Sequence, residues 1–218
     1  MVQRRLMVPL ALLVLAALAC GGSTGPKVLF KDDFSSTGSG WGRNEDETAL
    51  SEYRDDQYVL EVYETGWMIW NNPEEGGMSN THATVTITNE GTAQDPTFGL
   101  ICNYVDENAF YFLGLGPDGY YGIARVEGDD NVFLTDPEND GWLLSEDLDI
   151  NAASYKVEAI CAADGTLTLI VNGAEIASVQ DDAYTEGDVG LFAQSFEEVP
   201  VEVHFDDLTV IEIPAAEE

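Results

Sequence analysis

The stretch "TLTLIVNGAEIASV", residues 166–179, decides the fold class. Two β-rich runs flank Asn172-Gly173, a dipeptide that supplies positive φ at both centres of a type I′ hairpin turn. Asp164-Gly165 just upstream, and Pro117-Asp118-Gly119 farther back, have the composition of similar tight turns. Between such turns lie the other runs: Gln57–Tyr63, Thr81–Thr88, Thr97–Tyr104, Ala109–Leu115, Gly119–Val126, Tyr155–Cys161, Asp188–Gln194 and Val201–Ile213. None has a helical period. Short β-rich runs with close punctuation predict an all-β chain. About a dozen strands in one domain predict two packed sheets, a sandwich. No repeat of fixed period is visible. No linker divides Lys27 from Pro214, so residues 28–213 are expected to form one domain, followed by a frayed tail over 214–218.

Several segments carry a family likeness. "LFKDDFSS…GWG" near the start, "FGLICNYVDENAFYFLGLGPDGYYGIARV" in the middle, and "LTLIVNGAEIASV", "GDVGLFA" and "VHFDDLTV" at the end occur in that order. Together they resemble the concanavalin A-like lectin/glucanase superfamily, in its laminin G-like and bacterial lipoprotein branches. The resemblance implies an antiparallel jelly-roll sandwich with a curved sheet able to cradle a linear chain. It is specific for fold and unspecific for activity, since a shared fold does not transmit function.

The first residues place the chain. Met1–Arg5 is a short basic head, and Leu6–Ala19 is an apolar run too short to span a bilayer comfortably. Leu18-Ala19-Cys20-Gly21 resembles a bacterial lipobox. The resemblance implies cleavage before Cys20 and attachment of lipid to its sulfur, so residues 1–19 read as a lipoprotein signal peptide. More than one acyl chain gives stable membrane attachment. An ordinary secretory signal and a retained anchor are the alternatives. Residues 20–27, rich in Gly, Ser and Thr, read as a flexible tether.

The chain carries 41 acidic and 8 basic residues, a formal charge of −33. Arg4 and Arg5 leave with the signal, so the mature protein is more acidic still. Such a surface repels phosphate backbones, which argues against nucleic-acid binding. It attracts divalent cations, and it is equally the composition of a protein from a saline habitat. With Cys20 lipidated, Cys102 and Cys161 remain. Cys102 shares a strand side with Phe98 and Leu100, and Cys161 with Tyr155 and Val157, so both are expected to point inward. They are either buried thiols or a disulfide, and export favours the disulfide.

Catalytic patterns are weak. Glucanases of the superfamily carry Glu-x-Asp-x-(x)-Glu on one strand; "SEDLDIN" (145–151) lacks the closing glutamate, and Glu61 and Glu64 fall on opposite strand faces. His82 and His204 are the only histidines, and His204 shares a strand face with Glu202 and Asp206. No nucleophile elbow or phosphate loop occurs. Metal binding has a better case. Asp33 ends the first strand, and Asp206-Asp207 interrupts the last, where the apolar period slips from Val201, Val203 and Phe205 to Leu208 and Val210. That slip predicts a bulge that re-aims a carboxylate. Carboxylates and backbone carbonyls suit one structural Ca²⁺, with Asp33, Asp206 and Asp207 as ligands; ordinary acidic decoration of strand ends is the alternative.

Aromatic residues supply the remaining signal. Trp67, Trp70 and Tyr121 are the candidates for stacking on sugar rings, with Arg125 as a polar contact or as half of an ion pair. Trp67 and Trp70 fall on opposite faces of their strand. Asp106 and Glu107 adjoin as carboxylates able to accept from sugar hydroxyls. The expected function is a lipid-anchored, non-catalytic module facing the periplasm or the exterior, binding a glycan or another extracellular polymer. A structural or protein-interaction envelope lipoprotein ranks second, and a glycoside hydrolase with an unfamiliar carboxylate pair third.

Overall fold

A computed structural model describes residues 25–214 except positions 140 and 151. The signal segment, Cys20 and the tail beyond Pro214 lie outside the described residues. Sixteen strands and no α-helix occur within them. The chain begins with β1 (Val28–Asp32), β2 (Asn44–Glu45), β3 (Ala49–Arg54), β4 (Gln57–Val62) and β5 (Met68–Asn71). It continues with β6 (Thr81–Asn89), β7 (Thr97–Asp106), β8 (Ala109–Leu115), β9 (Tyr120–Glu127), β10 (Asp130–Phe133) and β11 (Leu143–Leu144). It closes with β12 (Tyr155–Cys161), β13 (Thr166–Val171), β14 (Ala174–Gln180), β15 (Asp188–Gln194) and β16 (Val201–Glu212).

Two antiparallel sheets form the sandwich. The nine-stranded sheet runs β14-β13-β12-β6-β16-β4-β3-β2, with β1 beside β16. The seven-stranded sheet runs β10-β9-β8-β7-β15-β5, with β11 beside β9. Strand β6 shows why the first sheet forms. Ala83, Val85 and Ile87 are buried on one side while His82, Thr84, Thr86 and Thr88 face outward. Burying a side chain of this size contributes about 1.5–3 kcal/mol.

The turns follow the sequence. Asn172 and Gly173, between β13 and β14, both have positive φ, 51° and 83°, which the I′ turn requires. The slip at Asp206-Asp207 is a bulge: register jumps between Asp206↔Thr86 and Thr209↔Thr84, and Asp207 has φ 53°. The extra residue returns Leu208 and Val210 to the core side already occupied by Val203 and Phe205. It also marks a change of partner. Val201–Phe205 pairs with β4, and beyond the bulge Leu208–Ile211 pairs with β1.

Cys102 on β7 and Cys161 on β12 are joined by a disulfide that ties one sheet to the other. Both residues are buried in the inter-sheet core with Phe98, Leu100, Tyr155 and Val157.

Candidate ligand-binding face

The outward face of the seven-stranded sheet is apolar, although no other sheet covers it. Ile101, Phe110, Phe112, Ala124, Val126, Phe133 and Phe192 form a second buried cluster there, distinct from the inter-sheet core. Met68, Trp70, Tyr104 and Trp142 pack onto it. The rings of Phe133, Trp142 and Phe192 lie 5.3–5.9 Å from that of Phe112. Trp70 and Tyr104 flank Phe110 at 5.1 and 5.5 Å.

Glycines make room for this layer. Gly99, Gly114 and Gly122 stand opposite one another on β7, β8 and β9, in line with Phe192 on β15. A Cβ on Gly114 would lie 2.4 Å from Phe192 Cζ, and one on Gly122 would lie 3.0 Å from atoms of both Phe133 and Trp142. The rings therefore rest directly on the backbone.

At one end of this face a groove of about 300 Å³ opens. Met68, Trp70, Phe110 and Val126 supply its apolar lining. Glu107 and Asn108 from the β7–β8 turn, Gly128 and Asp129 from the β9–β10 turn, and Asn131 supply a polar rim. An apolar floor with a few convergent polar groups is the composition of a small-molecule or oligomer site. Asp106 serves the turn instead, its Oδ1 accepting from the Asn108 N–H at 2.8 Å.

The structure divides the four residues singled out for ligand contact into two pairs. Trp70 lines the groove, and it shares with Trp67, 46% exposed, a neighbouring recess of about 180 Å³ that Asn44, Asp46 and Thr48 also line. Tyr121 and Arg125 lie on the other face of β9: Tyr121 packs against the inter-sheet core. The Arg125 guanidinium pairs with Asp181 and, at 3.1 Å, with Glu127. Asp181 also accepts from the Tyr111 hydroxyl at 2.5 Å. Burial first, and that carboxylate second, push the phenol of Tyr111 far up. Arg125 thus belongs to a structural network. Trp41, with 2% exposure, is core, packed among Phe30, Phe34 and Tyr58.

The acidic corner is also resolved. Asp33 Oδ1 accepts from both the N–H and the hydroxyl of Ser35, at 3.1 and 2.7 Å. Asp206 Oδ1 accepts from the Asp207 N–H at 2.7 Å. Burial raises the Asp206 carboxyl above its ordinary value, and the charges of Asp207, Asp33 and Asp56 add to that. Among the described residues, no group of three or more His, Cys, Asp or Glu side chains is arranged to hold a metal ion. The two histidines are held by hydrogen bonds: His204 meets Glu202 at 2.9 Å and Gln57 at 2.8 Å, and His82 meets Glu158 at 2.8 Å.

No family model matches the chain, and no curated protein matches it. Solved structures do. A carbohydrate-binding module, CBM66 from Bacillus subtilis, is 12% identical with a TM-score of 0.55 over 70% of this chain and 86% of that one. A Bacillus subtilis protein of unknown function with a galectin-like fold is 14% identical, with a TM-score of 0.60 over 85% and 96%. The Bacillus licheniformis β-glucanase is 7% identical, with a TM-score of 0.59 over 87% and 100%. At such identities the likeness is one of fold: the chain has the concanavalin A-like jelly-roll sandwich.

Proposed function

We propose that this chain is a non-catalytic binding module for a glycan or another extracellular polymer, held at a bacterial membrane through lipid on Cys20. The observation that carries the binding reading is the aromatic outward face of the seven-stranded sheet, with its groove around Trp70. An aromatic ring beside a polar rim suits a sugar, which has an apolar ring face and a hydroxylated edge. Trp70 stacks on the ring; Glu107, Asn108, Asp129 and Asn131 exchange hydrogen bonds with hydroxyls. The neighbours of like fold support a glycan-related role, since they include a carbohydrate-binding module and a β-glucanase. Stacking on one ring contributes about 1–1.5 kcal/mol beyond area burial, so a single site should bind in roughly the millimolar to micromolar range.

Calorimetric titration of the purified protein with neutral polysaccharides, beside an assay for released reducing sugars, tests the reading. Binding without sugar release, weakened about tenfold by Trp70→Ala, is the expected result. Release of sugar that stops in Glu107→Gln or Asp129→Asn makes the protein a hydrolase with these two carboxylates as its pair. The anchor is tested separately. Cys20→Ala should free the protein from the membrane fraction or block its processing, and unchanged membrane attachment with a free Cys20 thiol rejects lipidation.

A further inference from the structure

Asp95, Thr97, Asp118, Tyr120, Trp142 and Phe196 enclose a second recess, of about 190 Å³. It lies at the end of the seven-stranded sheet opposite the Trp70 groove. Asp95 precedes β7, Asp118 sits in the β8–β9 turn, Tyr120 begins β9, and Trp142 and Phe196 come from flanking loops. The rings of Trp142 and Phe196 stand perpendicular, 6.3 Å apart with planes at 88°. Three rings therefore form its wall.

Its charged groups are two carboxylates without a countercharge. Asp95 Oδ2 accepts from the Glu197 N–H at 3.2 Å, while Oδ1 is out of solvent and has no hydrogen-bond partner. Asp118 Oδ1 accepts a long bond, 3.4 Å, from the Tyr120 N–H, and folds back over Gly116, where a Cβ would lie 2.4 Å away. Part of Asp118 is exposed, yet burial of its carboxyl weakens it as an acid, and the charge of Asp95 weakens it further. Among the described residues neither carboxylate pairs with a Lys, Arg or His. The Thr97 hydroxyl is directed to Gln194 at 3.4 Å.

We propose that this recess binds a small organic ammonium ion, its methylated head among Tyr120, Trp142 and Phe196 and its charge toward Asp95 and Asp118. The proposal goes beyond the glycan reading and does not depend on it. Aromatic faces attract cations through their quadrupole, most strongly where the cation is shed of water. Unpaired carboxylates in apolar surroundings are costly until a positive charge meets them. A net charge of −33 raises the local concentration of cations over the whole surface. Calcium fits poorly, because it wants six to eight oxygens and the rings occupy the wall. A bare –NH₃⁺ has three N–H donors to satisfy, whereas methyl groups make contact with rings directly. A neutral sugar finds no amide or guanidinium donor here.

Titration of the purified full chain with tetramethylammonium chloride tests this, at an ionic strength held constant with sodium chloride. The readouts are heat and the indole N–H resonance of Trp142, assigned through Trp142→Phe. A saturable shift is expected, larger than that with ammonium chloride and absent with calcium chloride. Asp118→Asn should weaken binding about tenfold while the unliganded protein melts at or slightly above the parent's temperature, since an uncompensated carboxylate is removed, and Tyr120→Leu should weaken it about threefold to fivefold. Both side chains lie at the surface, so either variant alone keeps the test decisive. A response no larger than that to sodium chloride overturns the proposal, as does equal affinity in Asp118→Asn and the parent. So does an equal shift with calcium. Loss of polysaccharide binding in Trp70→Ala, with tetramethylammonium binding intact, separates this site from the groove.

Discussion

The two outward faces of the sandwich are built on the same strand alternation and differ in chemistry. On the nine-stranded sheet the outward positions are mainly threonine, histidine and charged residues, with Val59, Ile160, Ile170 and Ile211 among them. Arg54 there meets Glu52, Glu61 and Glu202 at 2.7, 2.5 and 3.1 Å. Its partial burial alone would lower its pKa, but the hydrogen bonds to Glu52 and Glu61 outweigh this and raise it. Lys156 pairs with Glu158, and His82 and His204 make hydrogen bonds to Glu158 and Glu202. On the seven-stranded sheet the outward positions are mainly rings, glycines and aliphatic residues such as Ile101, Ala124 and Val126. Exposed ion pairs contribute about 0–1 kcal/mol each, so the first face is a solvated surface that adds little to stability. The second buries aromatic area where no other sheet requires it, and the proposed binding role rests on that surplus.

The link between the sheets should give the largest effect. Replacing Cys102 and Cys161 together by serine removes a loop closure spanning 59 residues, worth about 4 kcal/mol on the chain-entropy argument. For a domain of this size that corresponds to a melting temperature lower by roughly 8–16 °C. Non-reducing peptide mapping should show one cross-linked pair. A double variant melting within about 2 °C of the parent would mean that packing alone holds the two faces in place.

A smaller effect distinguishes the faces themselves. Gly114→Ala puts a methyl group 2.4 Å from Phe192 Cζ and 2.7 Å from the Phe98 carbonyl oxygen. Overpacking of this kind costs about 1–3 kcal/mol. Thr84→Ala, on the outward side of β6 in the polar face, should stay within about 0.5 kcal/mol. Denaturant melts of the pair measure the contrast. Equal losses would show that the ring layer is loosely packed and that the two faces are mechanically alike.

Much of the fold was legible because it is written in local rules. Asn172-Gly173 names its own turn, and the slip from Phe205 to Leu208 names its own bulge. The side-sharing of Cys102 with Phe98 and Leu100 put that sulfur inward. The ring-lined face was not legible in the same way. Strands β8 and β15 are apolar on both sides, so alternation separates Phe110 and Phe112 from Tyr111 and Leu113 without saying which pair faces the other sheet. Tyr121 and Arg125 illustrate the consequence: they share a side of β9, and that side is the inter-sheet one. Gly99, Gly114 and Gly122 were the available signal, since glycines aligned across three strands leave space for rings. The pair Asp95 and Asp118 is 23 positions apart in sequence and meets only because two loops converge at one end of the sheet. Strands of two residues, such as β2 and β11, carry no period at all.

The smallest effect belongs to the place on the polar face where Asp33, Asp56, Asp206 and Asp207 gather, with Lys31 close to Asp33. Asp206 is a weaker acid than usual because it is partly buried and because Asp207, Asp33 and Asp56 are close. A carboxyl whose folded pKa lies above its unfolded one holds its proton more tightly in the native state. Stability is therefore highest below the unfolded value and falls as pH rises through the window up to the folded value. Asp206→Asn should remove that slope and melt slightly higher than the parent at neutral pH. Calcium at Asp33, Asp206 and Asp207, proposed from the sequence, acts in the opposite sense: an ion bound only by the native, ionised form stabilises it by mass action. Millimolar calcium should then raise the neutral melting temperature of the parent relative to chelator and leave Asp206→Asn unmoved. Superimposable melting curves of the parent in calcium and in chelator reject the ion and leave the corner as plain repulsion, retained where β16 exchanges β4 for β1.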